Sequence, residues 1–286
     1  MKRSLRSAAL VCLAAAPCFA QDDATETKAL SGTFALDLPS AYFFRGIRQE
    51  DQGLIIQPSL ELAWRVYESA DDQAPLAVDL LFGTWHSFHR GPTGARGGGD
   101  AWYEADLFTG VSVDFAERWS VAAQWARFGN PNATWTSMEE CTIGLSFDDC
   151  GSLGEDFAGL QPSLVFAAEL AGQGDGGSAR GTYLQLGVEP SLELTGDDAA
   201  QPFTLSIPFA IGLGLDSYYE RPSDGADRRF GFADLGAVLS TPVPFLRGAW
   251  EANAGVHVLW LGSATEEMNG GDAFQLIASF GVSAAF

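Results

Sequence analysis

Apolar and polar positions alternate with period two along most of this chain. From Leu54 to Tyr67, Ile56, Leu60, Leu62, Trp64 and Val66 share one face, while Gln57, Ser59, Glu61 and Arg65 take the other. Residues 101–115 set Tyr103, Ala105, Leu107, Val111, Val113 and Phe115 against Glu104, Asp106, Ser112 and Asp114. The same alternation runs through 182–194, where Leu184, Leu186, Val188, Leu192 and Leu194 oppose Gln185, Glu189, Ser191 and Glu193, and through 203–215. It returns at 250–260, with Trp250, Ala252, Ala254, Val256, Val258 and Trp260 opposite Glu251, Asn253, Gly255 and His257. The last segment, 272–286, places Phe274, Leu276, Ala278, Phe280, Val282, Ala284 and Phe286 on one face. Such segments run about 11 to 15 residues. That exceeds the roughly 5 to 6 of ordinary strands and suits strands tilted across a bilayer.

Weaker alternation at 31–44, 77–88, 118–128, 158–170 and 229–241 brings the strands to about eleven. A closed single-chain membrane barrel needs an even number, and Glu140–Phe147 alternates in the required way. The expectation is therefore all-β: an antiparallel up-and-down transmembrane β-barrel of about twelve strands. Segments 45–53, 89–100, 129–138, 171–180, 219–229 and 262–271 become outside loops. The stretches at 68–76, 116–118, 148–157, 195–202 and 242–247 become the opposite turns. Aromatics near strand ends (Tyr42 to Phe44, Trp64, Tyr67, Trp102, Tyr103, Phe115, Trp119, Tyr218, Tyr219, Phe230, Phe232 and Trp260) are expected to form two interfacial girdles. The terminal Phe286 is expected to signal to the barrel-insertion machinery.

Residues 1–20 read as an export signal: Lys2, Arg3 and Arg6 precede the apolar run Ala8–Ala16, and Ala20 precedes a cut at Gln21. Pro17 argues against lipidation at Cys18. A short periplasmic segment, 21–30, then leads into a barrel at 31–286, placing the protein in the bacterial outer membrane. Downstream of residue 20 no window approaches the roughly 20 unbroken apolar residues of a membrane helix. With 33 glycines, 12% aromatics and a mean hydropathy of +0.04, the chain is too apolar for disorder and too glycine-rich for a helical bundle. Of 16 basic residues three lie in the signal, so 13 face 37 acidic ones and the mature chain carries a net charge of about −24. Nucleic acid is thereby an unsuitable partner.

The segment Ser40-Ala41-Tyr42-Phe43-Phe44-Arg45-Gly46-Ile47-Arg48-Gln49 resembles the signature that opens the TorF-like family of outer-membrane porins, Ser-x-Tyr-x-x-Arg-Gly with a Gln after two intervening residues. Gly83-Thr84-Trp85-His86-Ser87 looks like that family's Gly-x-Trp-x-Ser. Glu104-Ala105-Asp106 with Gly110, and Glu140 with Gly144, Ser146 and Asp148, look like its fourth and sixth strands. The likeness covers about the first half of the mature chain. A longer glycine-rich 89–100 segment and the Cys141/Cys150 pair depart from it. It implies a small porin and transfers no particular solute.

If the apolar faces meet outer-membrane lipid, the lumen receives Glu61, Arg65, Glu104, Asp106, Asp114, Glu140, Glu189, Glu193, Glu251 and His257, together with Arg45 near the first loop. Clustered carboxylates favour entry of cations, so the expected activity is passive, cation-biased diffusion of small solutes. The rivals are a non-conducting structural or adhesive barrel, in which Arg45, Arg65 and the acids form structural ion networks, and a soluble periplasmic barrel. Arg45 is expected to pair with a lumenal carboxylate more readily than to touch solute, and Gly46 to serve a bend. In an oxidising compartment Cys141 and Cys150 are expected to form a disulfide. No His stands near them for a metal site, and His86, His89 and His257 sit in no hydrolase motif. No enzyme and no cofactor is expected, and the pattern implies no particular oligomeric state.

Overall fold

The computed structural model describes residues 29–70, 74–154, 157–195 and 201–286. The expected export signal, and all but the end of the segment after it, lie outside the described residues. Sixteen β-segments form: β1 (Leu30–Pro39), β2 (Tyr42–Phe44), β3 (Ile47–Glu50), β4 (Ile55–Glu68), β5 (Leu76–His89), β6 (Trp102–Phe115), β7 (Trp119–Gly129), β8 (Met138–Phe147), β9 (Ser163–Ala171), β10 (Thr182–Val188), β11 (Ser191–Glu193), β12 (Thr204–Ser206), β13 (Phe209–Asp216), β14 (Phe230–Pro242), β15 (Ala249–Leu261) and β16 (Phe274–Ala285). A short helix, α1 (Ser263–Met268), precedes β16.

Fourteen of these segments make twelve antiparallel staves, because β10 continues into β11 and β12 into β13. The interruptions fall at Pro190 and Pro208, which offer no amide hydrogen to a ladder. Pairing of β14 with β15 and of β1 with β16 closes the ring. The strand required by parity is β8, which pairs with β7 in continuous register and with β9 across a register shift between Glu139 and Glu140. At the seam, Gly32 and Phe286 exchange two backbone hydrogen bonds of 3.0 Å. The Phe286 ring covers Gly32: a Cβ there would stand 2.6 Å from the ring and 2.9 Å from Leu62.

The alternation read from the sequence sorts side chains as expected for most positions. Trp64, Leu107, Ile143, Leu276 and Phe280 are exposed on the outer wall, where a bilayer and not water is the matching solvent. Three expectations fail. Tyr42, Tyr103, Tyr218, Tyr219 and Phe232 belong to no girdle and are buried inside the barrel. Tyr103 turns inward because a bulge lies between its neighbours, Glu104 pairing with Ser87 and Trp102 with Phe88. Residues 158–162 belong to a turn instead of a strand, since Gln161 has a φ of 52°, and Asp149 takes the Leu160 and Gln161 amides at 2.9 and 2.8 Å. The first strand stops at Pro39, and the chain then turns back into the barrel.

Candidate functional site: a hairpin across an acidic lumen

The first long connection is not an outward loop. β2 and β3 form a hairpin with Phe44 opposite Ile47, so Arg45-Gly46 is its two-residue tip. Both tip residues have positive φ, 48° and 83°, the requirement of a type I′ turn whose twist matches its strands. Gly46 is needed twice, since a Cβ there would also meet Phe232 at 3.0 Å.

The tip reaches the opposite wall. Arg45 binds Glu140 of β8 through both nitrogens, Nη1 and Nη2 each 2.6 Å from a carboxylate oxygen. Nη1 also donates to the Tyr218 hydroxyl at 2.6 Å, and the guanidinium lies 4.2 Å above the Tyr183 ring. Tyr219 donates to the Arg45 carbonyl at 2.9 Å. Phe43 and Ile47 pack against the cluster of Tyr183, Tyr218, Tyr219, Phe232 and Leu259, while Phe44 meets Phe128 with ring centroids 5.3 Å apart. The hairpin therefore touches both sides of the bore.

Two further connections hold its sides. Asn269, just after α1, accepts the Arg48 amide at 2.8 Å and donates to the Gly46 carbonyl at 2.8 Å. Glu50 accepts the amides of Asp51, Gln52 and Thr93 at 3.0, 2.9 and 2.9 Å, and the Thr93 hydroxyl at 2.9 Å. Burial alone would raise the Glu50 carboxyl, but the donors from Thr93, Gln52 and Asp51 overcome it and hold the group below its ordinary range. On the wall beneath, Tyr42 donates to Glu104 at 3.0 Å, and Tyr103 donates to Gln49 at 2.5 Å.

Below the hairpin the wall is acidic. Strand register places Glu61, Arg65, Glu104, Asp106, Asp114, Glu140, Glu193, Glu251 and His257 on inward faces, while Glu189 stands between β10 and β11, outside both ladders and within electrostatic reach of His257. The same register adds Asp37, Asp79 and Asp234, which the alternation of their strands could have revealed. Arg65 is held by Asp79 at 2.5 Å and by Glu68 at 3.5 Å, and His257 Nδ1 stands 3.0 Å from Asp234. Asp37, Glu61, Glu189, Glu193 and Glu251 have no basic side chain at ion-pair distance among the described residues. The clamps Glu50, Tyr218, Tyr219 and Asn269 carry no local sequence signal, since their partners are up to 223 positions away.

The expected disulfide is not formed; both cysteines are free and exposed. Cys141 shares its face of β8 with Ile143, on the outer wall, whereas Cys150 lies in the turn beyond the far end of the same strand. Six residues of extended strand separate Cys141 from Phe147, about 20 Å, far beyond the roughly 7 Å that a disulfide can bridge between Cα atoms.

No protein-family model matches the chain, and no curated protein is similar to it. Among solved structures it is similar to the β-domain of the Bordetella autotransporter BrkA, at 10% identity over 90% of this chain and 98% of that one, with a TM-score of 0.44. It is also similar to a bacterial polysaccharide outer-membrane secretin, at 11% identity over 90% and 98% with a TM-score of 0.46, and to the NanC porin, at 10% identity over 90% and 99% with a TM-score of 0.41.

Proposed function

We propose that this protein is an outer-membrane channel for passive diffusion of small solutes with a preference for cations, and that the β2–β3 hairpin is its constriction. The supporting observation is the charge balance of the lumen. Its cations Arg45 and Arg65 are bound, by Glu140 and Asp79, while Asp37, Glu61, Glu193 and Glu251 have no basic side chain at ion-pair distance among the described residues. An uncompensated acidic wall in a low-dielectric tube lowers the entry cost for cations and raises it for anions. The apolar outer wall and Phe286 at the closing seam favour the outer membrane as the compartment and the insertion machinery as the route. The likeness of the first half of the chain to TorF-like porins rests on the motifs quoted above and agrees with this reading. The reading includes no catalysis.

One observation favours a closed barrel instead. Tyr183, Tyr218, Tyr219 and Glu140 are fully buried around the hairpin tip, so the constriction is tightly packed. Planar-bilayer recording separates the two. Purified protein should show discrete conductance with a reversal potential displaced towards that of K⁺ in a KCl gradient, and replacing residues 43–49 with a short Gly-Ser linker should raise it. Silence from both proteins would remove the channel reading. Current from the linker variant alone would make the barrel a sealed one that needs hairpin release.

A further inference from the structure

We propose that the outer ends of β7, β8 and β9 form a docking corner for a phosphate-bearing glycolipid of the outer leaflet, with Arg127 and Arg180 as its anion ligands. The inference rests on the outer-membrane reading of the compartment and not on conduction. Among the described residues, the outward positions of β4 to β9 carry one guanidinium and one carboxylate, Arg127 and Glu139, which stand opposite each other in the β7–β8 ladder. Arg127 Nη1 donates to Glu139 Oε1 at 2.8 Å, yet its side chain stays 54% exposed, so most of its donor fork is open. The register shift between Glu139 and Glu140 passes over Leu170, and the Leu170 carbonyl accepts Arg180 Nη1 at 2.6 Å. Arg180 is exposed and has no acid at ion-pair distance among the described residues. Neighbouring strands lie about 4.8 Å apart, so the two guanidinium groups flank one patch roughly 10 Å across.

Height on the barrel identifies the occupant. The long connections after β7 and β9 leave from this end, whereas the start of β1 and the end of β16 lie at the other, so the corner belongs to the outer leaflet. From Trp119 to Arg127 a tilted strand climbs about 20 Å, against an apolar band about 25 Å tall, which brings the guanidinium to headgroup level. Around it the wall is apolar and exposed at Leu107, Ile143, Phe166 and Leu170. Acyl chains fit that wall. Two guanidinium groups against one carboxylate leave an excess positive charge, and Asp216, two staves beyond β9, stands outside ion-pair distance of both. A planar guanidinium matches phosphate oxygens in geometry and charge, and it does so most strongly at an interface where water is scarce. A free anion would use the arginines alone, whereas a phosphorylated lipid uses the arginines and the wall together.

The test uses the folded protein in non-ionic detergent, titrated by thermophoresis with bisphosphorylated lipid A and with the same lipid stripped of its phosphates. The phosphorylated form should bind saturably and about tenfold or more tighter. Arg127→Gln combined with Arg180→Gln should abolish that preference, while Arg247→Gln, in the turn at the opposite end of the barrel, should keep it. Heat-modifiable migration verifies that each variant is folded. Should the double variant fail to fold, the wild type still decides through its preference between the two lipids and through competition, since equimolar inorganic phosphate should leave the lipid bound. Equal binding of the two lipids, displacement by inorganic phosphate, or an unaltered preference in the double variant would overturn the proposal. Protein that fractionates with the outer membrane yet binds both lipids equally would lose this site and keep its compartment. Preference for the phosphorylated lipid without conductance would remove the channel reading and leave this one standing.

Discussion

Arg45 and Glu140 meet 95 positions apart in sequence, with side-chain exposures of 11% and 1%. Removing one member of so buried a pair leaves the other without compensation, at a cost of about 3–5 kcal/mol. Arg45→Ala should therefore lower the unfolding free energy, extrapolated from urea titration of the protein folded into vesicles, by that amount, whereas the double change Arg45→Met with Glu140→Met should cost clearly less. Equal losses would show that the pair contributes through volume, not charge. That Arg45 seeks a lumenal carboxylate was readable from one cation beside many acids. Which carboxylate was not, because Glu61, Glu104, Asp106 and Glu140 all lie on inward faces and only strand register sets their height. The cysteines make the opposite case. They are close in sequence yet held apart by most of β8, with Cys141 on the strand and Cys150 in the turn beyond its end, so both should react with a thiol reagent without prior reduction, and mass spectrometry should count two labels from Cys141 and Cys150.

The hairpin is the element on which the lumen depends, and its clamps can be released one at a time. Glu50 titrates below its ordinary value of 4.5, so the stability it lends to the contact with Thr93 is fully present above that value and disappears as pH falls through the lower folded value. Conductance should be constant from neutrality to about pH 5 and rise as pH falls below 4.5, through the lowered folded value. Glu50→Gln should carry the raised conductance at neutral pH; if it keeps the wild-type profile, another group controls the transition. Asn269→Ala removes the Arg48 amide and Gly46 carbonyl contacts together and should increase proteolysis of residues 43–49 while the barrel itself stays folded. Arg-Gly at the tip was legible as a bend, since glycine accepts the positive φ that a two-residue turn demands. The direction in which the hairpin folds was not legible. Tyr42, Phe43 and Phe44 near a strand end read equally as a membrane girdle or a lumenal plug, and local pattern does not distinguish lipid from a protein interior as the apolar partner.

For the barrel as a whole, closure is made by the ladder between β1 and β16, which ends in the close contact between Gly32 and Phe286. Gly32→Val would drive a side chain into the Phe286 ring and Leu62, so it should slow assembly and reduce the heat-modifiable fraction, while Ser31→Val on the opposite face should be tolerated. An unchanged folded yield from Gly32→Val would show that the seam repacks. Twelve staves, the inward and outward faces and the terminal pairing with the first strand were all present in the chain as period two, parity and an aromatic end. The reason is that each strand alternates independently of its neighbours and must match lipid on one side wherever it stands. The inward hairpin, the pairing of its cations and the bulge that turns Tyr103 inward came only with tertiary structure. They depend on register between strands and on contacts across the bore, which bring together residues that share no local pattern.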